Sequence, residues 1–375
     1  MTSCLPPLFH EILEAPLSPL LEQAIDEGRR VIGYTCSYVP DALIGVEGLQ
    51  PVRVRAPGVA GTPMADTYLS SVICSYTRSM LELVLEGAYS HLDGWVFTAS
   101  CDHLRRLFDN LEYLDRPAFN HILDLPHKLG DEALDWFVEE LQALAQRLAA
   151  AFDVDTGPEA VAAAIDRENE YRGLLRRIGE LRKQDAPAIS GADFLRLLVA
   201  GGAAPKDRLL PELAALADRL AAMTGPGTHR ARLMLVGSQL DDPDYVELIE
   251  SVGGLVVADR FCLGSLPGLQ PIADGPDPLR ALAAHVLRKT SCPRMMEEFD
   301  SRVEQILAAA REYRADGIVL QTMKFCDTWG VESSPLVPAL RDSGIPVLRL
   351  EREYALSGEG QLRTRVQAFL ESLGR

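Results

Sequence analysis

Seven cysteines, at positions 4, 36, 74, 101, 262, 292 and 326, are the residues of this chain best suited to chemistry. Thiolates are soft donors that select zinc or iron–sulfur clusters over hard cations. Structural zinc sites bring cysteines in close pairs, and no C-x2-C pair occurs here. An odd number of scattered cysteines is also no disulfide framework. Ligands delivered singly by distant segments suit a bulky cluster. Whether they can meet depends on the elements that carry them.

Three regions separate by pattern. In residues 1–128, strands are predicted over Val31–Thr35, Pro51–Arg55, Trp95–Ala99 and His121–Leu125, alternating with helical stretches. Residues 129–228 read as helices, over Leu134–Phe152, Pro158–Lys183, Ala192–Ala200 and Leu210–Met223, with apolar residues at helical spacing. Residues 229–375 return to strands, over Ala231–Val236, Leu255–Ala258, Ile318–Gln321 and Val347–Leu350. Such alternation predicts parallel sheets with crossover helices. The expected architecture is an N-terminal α/β domain, a helical region and a C-terminal α/β domain. The outer two repeat one plan, down to an Asp-Gly before the third strand of each (Asp93-Gly94 and Asp316-Gly317).

Open parallel sheets bind ligands beyond the carboxyl ends of their strands. Cys36 follows the first predicted strand, Cys101 the third, and Cys262 and Cys326 the second and third of the last region. Cys74 and Cys292 lie between strands two and three of each half, each before a long helix. Cys74 with Cys292, and Cys101 with Cys326, thus occupy equivalent stations. Only Cys4 lies outside. A cysteine is also a small buried hydrophobe, but this placement favours ligation of an iron–sulfur cluster in the cleft between two similar domains.

The formal net charge of −17 disfavours a nucleic-acid or anionic-membrane role. No apolar run approaches the roughly 20 residues of a membrane span. The N-terminal segment carries acids and prolines rather than a signal-peptide pattern, so a cytoplasmic location is expected. The loop GSQLDDPDY lacks the lysine of a P-loop, and none occurs elsewhere, so any ATP hydrolysis belongs to a partner.

The segments GYTCSYVPDALI, VICSYTRS, TASCDHLRRL, VVADRFCLGS and KFCDTWGVE, with ENEYRGLLRRI and the C-terminal GQLRTRVQAFLE, resemble the 2-hydroxyacyl-CoA dehydratase/benzoyl-CoA reductase family from residue 30 onward. The resemblance implies two flavodoxin-like domains with a [4Fe–4S] cluster between them. It implies a separate ATP-dependent iron–sulfur activator delivering one low-potential electron. Dehydratases of the family use it to form a ketyl radical and eliminate water from a 2-hydroxyacyl-CoA; the reductases reduce an aromatic ring. Cys74, Cys101 and Cys326 match the family's cluster cysteines. Cys36, Cys262 and Cys292 suggest a related homodimeric branch with a double-cubane [8Fe–9S] cluster on six cysteines, acting as a reductase of small molecules. The partner is then either a paralogous subunit or a second copy of the chain. A non-catalytic electron-relay or scaffold subunit is a further alternative.

Near the cysteines, His103 and Glu332 are candidates for proton transfer. Asp102 and Asp327 are expected to cap the helices that follow them. Ser37, Ser75 and Ser265 would bond either cluster sulfurs or loop backbone. Arg363 and Arg365, at a Gly-rich turn opening the last helix, are candidates for the phosphates of CoA.

Overall fold

The computed structural model describes residues 3–114, 116–265, 268–288 and 292–374. Two short helices open the chain, α1 (Leu8–Glu11) and α2 (Pro19–Asp26). The first α/β unit comprises β1 (Arg30–Tyr34), β2 (Leu49–Arg53), α3 (Ser75–Leu85), β3 (Gly94–Thr98), α4 (Asp102–Leu114) and β4 (Asn120–Leu123). Four helices follow: α5 (Asp131–Phe152), α6 (Pro158–Leu181), α7 (Gly191–Ala203) and α8 (Lys206–Ala221). The second unit begins with β5 (Ala231–Gly237), α9 (Pro243–Ser251), β6 (Gly254–Phe261) and α10 (Pro278–Leu287). It continues through α11 (Phe299–Glu312), β7 (Gly317–Met323), α12 (Asp327–Asp342), β8 (Val347–Arg352) and α13 (Glu359–Ser372).

The strands form two four-stranded parallel sheets of identical order, β2-β1-β3-β4 and β6-β5-β7-β8. Every predicted strand is present, with ends shifted by a residue or more. The central strands β3, β5 and β7 are buried throughout, as expected of strands covered by helices on both faces. α2, α9 and α10 each start with a capping residue followed by proline: Ser18-Pro19, Asp242-Pro243 and Asp277-Pro278. α8 begins at Lys206, before the expected Leu210, with the Lys206 ammonium 2.7 Å from Asp41 and also against Glu168.

The repeated Asp-Gly has the same structural role in both halves. Asp93 accepts a 2.8 Å hydrogen bond from Val31 N–H of β1, and Asp316 a 2.8 Å bond from Arg232 N–H of β5. Each aspartate therefore fixes the register of the third strand against the first. The glycine that follows admits an aromatic ring: a Cβ on Gly94 would lie 2.9 Å from Phe119, and one on Gly317 2.8 Å from Phe369.

The helical region divides between the sheets. α5 and the first half of α6 share a core with β1, β3 and β4, whereas the second half of α6 shares one with α7, α8, β5 and β6. Segments of each unit also cross over, Met323 and Tyr354 into the core with β3, α3 and α4 among them. Leu5, Phe9 and Ile12 from the N-terminal segment pack into the second sheet's core. Leu282, Ala283, Val286 and Leu287 of α10 leave the second unit and pack against α5 and α6. The carboxyl ends of the two sheets face each other. Arg53 at the end of β2 donates to Gln239 beyond β5 (3.1 Å), and Tyr354 beyond β8 donates its hydroxyl to Asp241 and receives Ala56 N–H (2.9 Å). No helix among the described residues is long and apolar enough to cross a membrane.

His121 on β4 accepts a 2.7 Å hydrogen bond from Arg147 at Nδ1. Burial, with that guanidinium, lowers its pKa to about 4. Between that value and the ordinary 6.5 the unfolded chain binds a proton the native one refuses, so stability falls as pH drops through this window. Denaturant melts between about pH 7 and 4.5 should show a loss of up to about 3 kcal/mol from this site. His121→Gln, which keeps the acceptor, should flatten that component of the slope.

Candidate functional site

Each cysteine other than Cys4 stands where its element ends or begins at the facing sheet edges. Cys36 follows β1 and packs against both the α5–α6 core and the core beneath α3 and α4. Cys74 is the residue preceding α3, Cys101 precedes α4, and Cys326 precedes α12. Cys262 follows β6, and Cys292 lies in the segment between α10 and α11. Phe325, immediately before Cys326, is held at φ 61°. A bulky residue in that left-handed conformation is strained, which fits a tight turn set by function.

The six thiols form one electrostatic neighbourhood. Burial raises the pKa of Cys74 to about 11, and Cys326 lies close enough to raise it further. Burial pushes Cys101 well up, with Cys74, Cys326 and Cys36 adding to it. Cys262 is raised by burial and then by Cys292, Cys326 and Cys36. Cys292 reaches about 12, from burial with Cys36 and Cys326 contributing. Cys326 is likewise raised, chiefly by burial. Such a site keeps thiols protonated until something positive takes the protons' place, and metal binding does that. Among the described residues no three Cys, His, Asp or Glu side chains meet at a single metal-ion position. Cys4 is elsewhere, bonded through its thiol to Asp193 at 3.4 Å.

His103 ties three of the cysteine loops together. Its Nδ1 accepts Cys74 N–H at 3.2 Å, and its Nε2 lies 3.3 Å from the Asp327 carboxylate beside Cys326. Its own helix starts next to Cys101. Burial lowers the His103 pKa, with Asp327 and Asp102 opposing, so the ring is neutral near pH 7 and carries its proton on Nε2. The expected capping roles of the two aspartates differ in the structure. Asp102 and Asp327 are the first residues inside α4 and α12 rather than the capping positions, and Asp327 turns to His103.

Glu332 is buried, and both its oxygens are engaged by Arg302, one of them through Nε at 2.6 Å. Arg302 also donates to the carbonyls of Met295 (2.6 Å) and Cys292 (3.3 Å), so this pair holds the Cys292 loop. Ser37 donates to the Cys262 carbonyl, Ser75 accepts Tyr354 N–H at 2.8 Å, and Ser265 donates to Asp259 at 2.8 Å. Arg363 and Arg365 are not brought to the cysteines. Arg363 donates to Ser251 at 2.7 Å, at the end of α9 away from the strand carboxyl termini. Arg365 donates to the Arg349 carbonyl at 2.6 Å.

Two cavities reach the thiols. One of about 740 Å3 is lined by Ser100, Cys101, Asp102, Arg294, Asp327 and Glu332. Another, of about 110 Å3, lies against Ser37, Arg53 and Cys262. Arg53 and Arg294 were not among the sequence candidates, although Arg294 stands two positions after Cys292. Nor was the network joining Asp41, five residues after Cys36, to Lys206, Glu168 and Arg172, which fixes the Cys36 loop onto α6 and α8. All but Lys206 lie within the segments GYTCSYVPDALI and ENEYRGLLRRI.

Known proteins resemble this chain over nearly its whole length. YjiM of Escherichia coli, provisionally named as a dehydratase subunit, is 27% identical, the alignment covering 98% of each chain. The (R)-phenyllactyl-CoA dehydratase beta subunit of Clostridium sporogenes is 22% identical over 97% of each chain. A benzoyl-CoA reductase subunit of Thauera aromatica is 24% identical over 93% of this chain and 92% of its own. The profile of the 2-hydroxyglutaryl-CoA dehydratase D-component family matches residues 36–373. The chain therefore belongs to this family of enzyme subunits, whose named members are dehydratases and reductases.

Proposed function

We propose that the chain is the cluster-bearing subunit of an enzyme that dehydrates or reduces an acyl-CoA thioester, with its electron supplied by a separate ATP-dependent iron–sulfur activator. The observation that carries this reading is the delivery of six cysteines, from both sheets, to one neighbourhood, where burial raises the pKa of five of them. Each iron of a cluster takes its own terminal thiolate. The donors of a cluster therefore need not meet at one point, which suits their spread here. The relatives named for phenyllactyl-CoA and benzoyl-CoA support a CoA thioester as the substrate class. In this reading Cys74, Cys101 and Cys326 hold a [4Fe–4S] cluster, which when bound supplies single electrons at low potential.

The chain's own residues prepare the site for that chemistry. The large cavity beside Cys101 and Asp327 receives the thioester, with Arg105, Arg294 and His127 among the polar groups on its wall. His103, neutral and with Nδ1 taken by Cys74 N–H, turns its Nε2–H to the Asp327 carboxylate and so orients at the cavity wall a group able to accept a proton. Glu332 is a positioning residue, because Arg302 engages both its oxygens. The enzyme is completed by a second copy or by a paralogous chain, since relatives are named as subunits. The place of Cys36, Cys262 and Cys292 in the same neighbourhood favours a second reading, a homodimer whose six cysteines hold an [8Fe–9S] double cubane and which reduces small molecules.

Anaerobic purification with iron and acid-labile sulfide analysis and EPR of the dithionite-reduced protein decides between them. About four irons per chain support the first reading and about eight the second; a colourless protein after reconstitution sinks both. Cys101→Ser and Cys326→Ser should strip iron, whereas Cys4→Ser should leave it unchanged. His103→Gln should retain the cluster while lowering turnover of the accepted thioester about 100-fold.

A further inference from the structure

Arg53 and Arg294 are each only 5% exposed. Arg53 donates to the Ser37 hydroxyl (2.7 Å) and the Gln239 side-chain carbonyl (3.1 Å). Arg294 donates to the carbonyls of Ser100 (3.1 Å) and Leu125. All four acceptors are neutral. The Nε–H of each arginine is buried without a hydrogen-bond partner, and among the described residues neither guanidinium pairs with a carboxylate. Arg172, Arg182 and Arg302, which are also strongly buried beside the site, pair with Glu168, Asp259 and Glu332 respectively.

A buried guanidinium with no counter-charge is costly, and buried charges in proteins are normally paired. What stands near these two is informative. Ionisable neighbours of Arg53 are Tyr76, Tyr34, Cys36 and Cys262; those of Arg294 include Cys36, Tyr38 and Cys292, with Asp124 a weaker one. Ser37, which receives Arg53, adjoins Cys36 and donates to the Cys262 carbonyl. The two arginines thus bracket Cys36 from the Cys262 and Cys292 sides. Metal ligation makes a thiol permanently anionic at neutral pH, and an iron–sulfur cluster with several thiolates is a net anion.

We infer that Arg53 and Arg294 are the built-in counter-charge of an anionic group held by Cys36, Cys262 and Cys292, and that they make its reduction easier. This rests on the iron–sulfur reading above and extends it, assigning those three cysteines as ligands rather than as packing. Two consequences are opposite in sign. Without the cluster, the arginines are unpaired buried charges that weaken the fold. With the cluster, they stabilise the bound anion and still more its reduced form, which carries one further negative charge, so they raise its potential.

The test compares Arg53→Met and Arg294→Met with Arg53→Lys and Arg294→Lys in the full-length protein, both cluster-loaded and iron-free. EPR-monitored titration against mediator dyes gives the midpoint potential, and thermal melts give stability. The inference expects both Met variants to have a more negative midpoint than wild type, with the Lys variants closer to it. It expects the iron-free Met variants to melt no lower than iron-free wild type, and the loaded ones to melt lower than loaded wild type. Met variants that fail to load iron while the Lys variants load it also support the inference. Fully loaded Met variants with an unshifted midpoint overturn it, as do Met and Lys variants that shift alike. Iron-free Met variants that melt well below wild type overturn it too, since the arginines would then be ordinary structural residues. A wild-type protein that takes up no iron fails the functional reading itself, before any variant is compared.

Discussion

Parallel strands present their reactive residues at one edge only, and this chain turns two such edges toward each other. Most of what is distinctive in the molecule follows from that confrontation. Residues that end β2, β5, β7 and β8 must satisfy one another across it, as Arg53 does with Gln239 and Tyr354 with Asp241 and Ala56. The loops have no room to wander, so the cysteine loops are fixed by backbone and side chain together. Cys74 is held by His103, the Cys262 carbonyl by Ser37, and the Cys292 carbonyl by Arg302. A polar network of this kind is expensive to leave half satisfied, which is why the confronted edges contain so many buried charged and hydroxylic groups.

The electrostatics of the site are uneven. On the side of Cys74, Cys101 and Cys326, the polar group is a neutral imidazole facing a carboxylate. Toward Cys36, Cys262 and Cys292 stand two guanidiniums with only neutral acceptors, of which Arg294 also lines the cavity beside Cys101. One side is thus arranged for handling a proton and the other for tolerating negative charge. Beyond both lies a layer of fully paired charges, Asp41–Lys206–Glu168–Arg172 and Arg302–Glu332, which carry no net charge and act as clamps.

Much of this was legible in the sequence because it depends on short-range rules. All eight strands declared themselves as short runs of apolar residues, and the Asp-Gly repeats marked the third strand of each half. The cysteines could be placed because a parallel sheet's topology says where a residue after a strand must go. Pairings across the confronted edges were not legible. Glu332 looked like a free acid because Arg302, its partner, lies 30 residues away on another helix. Asp327 looked like a cap because that is the commonest use of an aspartate at a helix start, and only the fold puts His103 within its reach. Arg363 and Arg365 looked available for a phosphate until their helix was seen to aim them at Ser251 and the Arg349 carbonyl.

The exchange of segments between the two halves has a consequence for how such a molecule arose and how it behaves. Leu5, Phe9 and Ile12 complete the core of the second sheet, while α10, inserted between β6 and β7, completes that of the first. Neither half therefore owns a whole core. If the repeated plan records a duplication, its two copies have since traded parts and can no longer live apart. The same exchange ties the lobes together, because separating them would pull α10 away either from α5 and α6 or from the rest of its own unit. The cavities beside the cysteines are lined by both lobes, and the molecule is better described as a seamed vessel than as a pair of jaws.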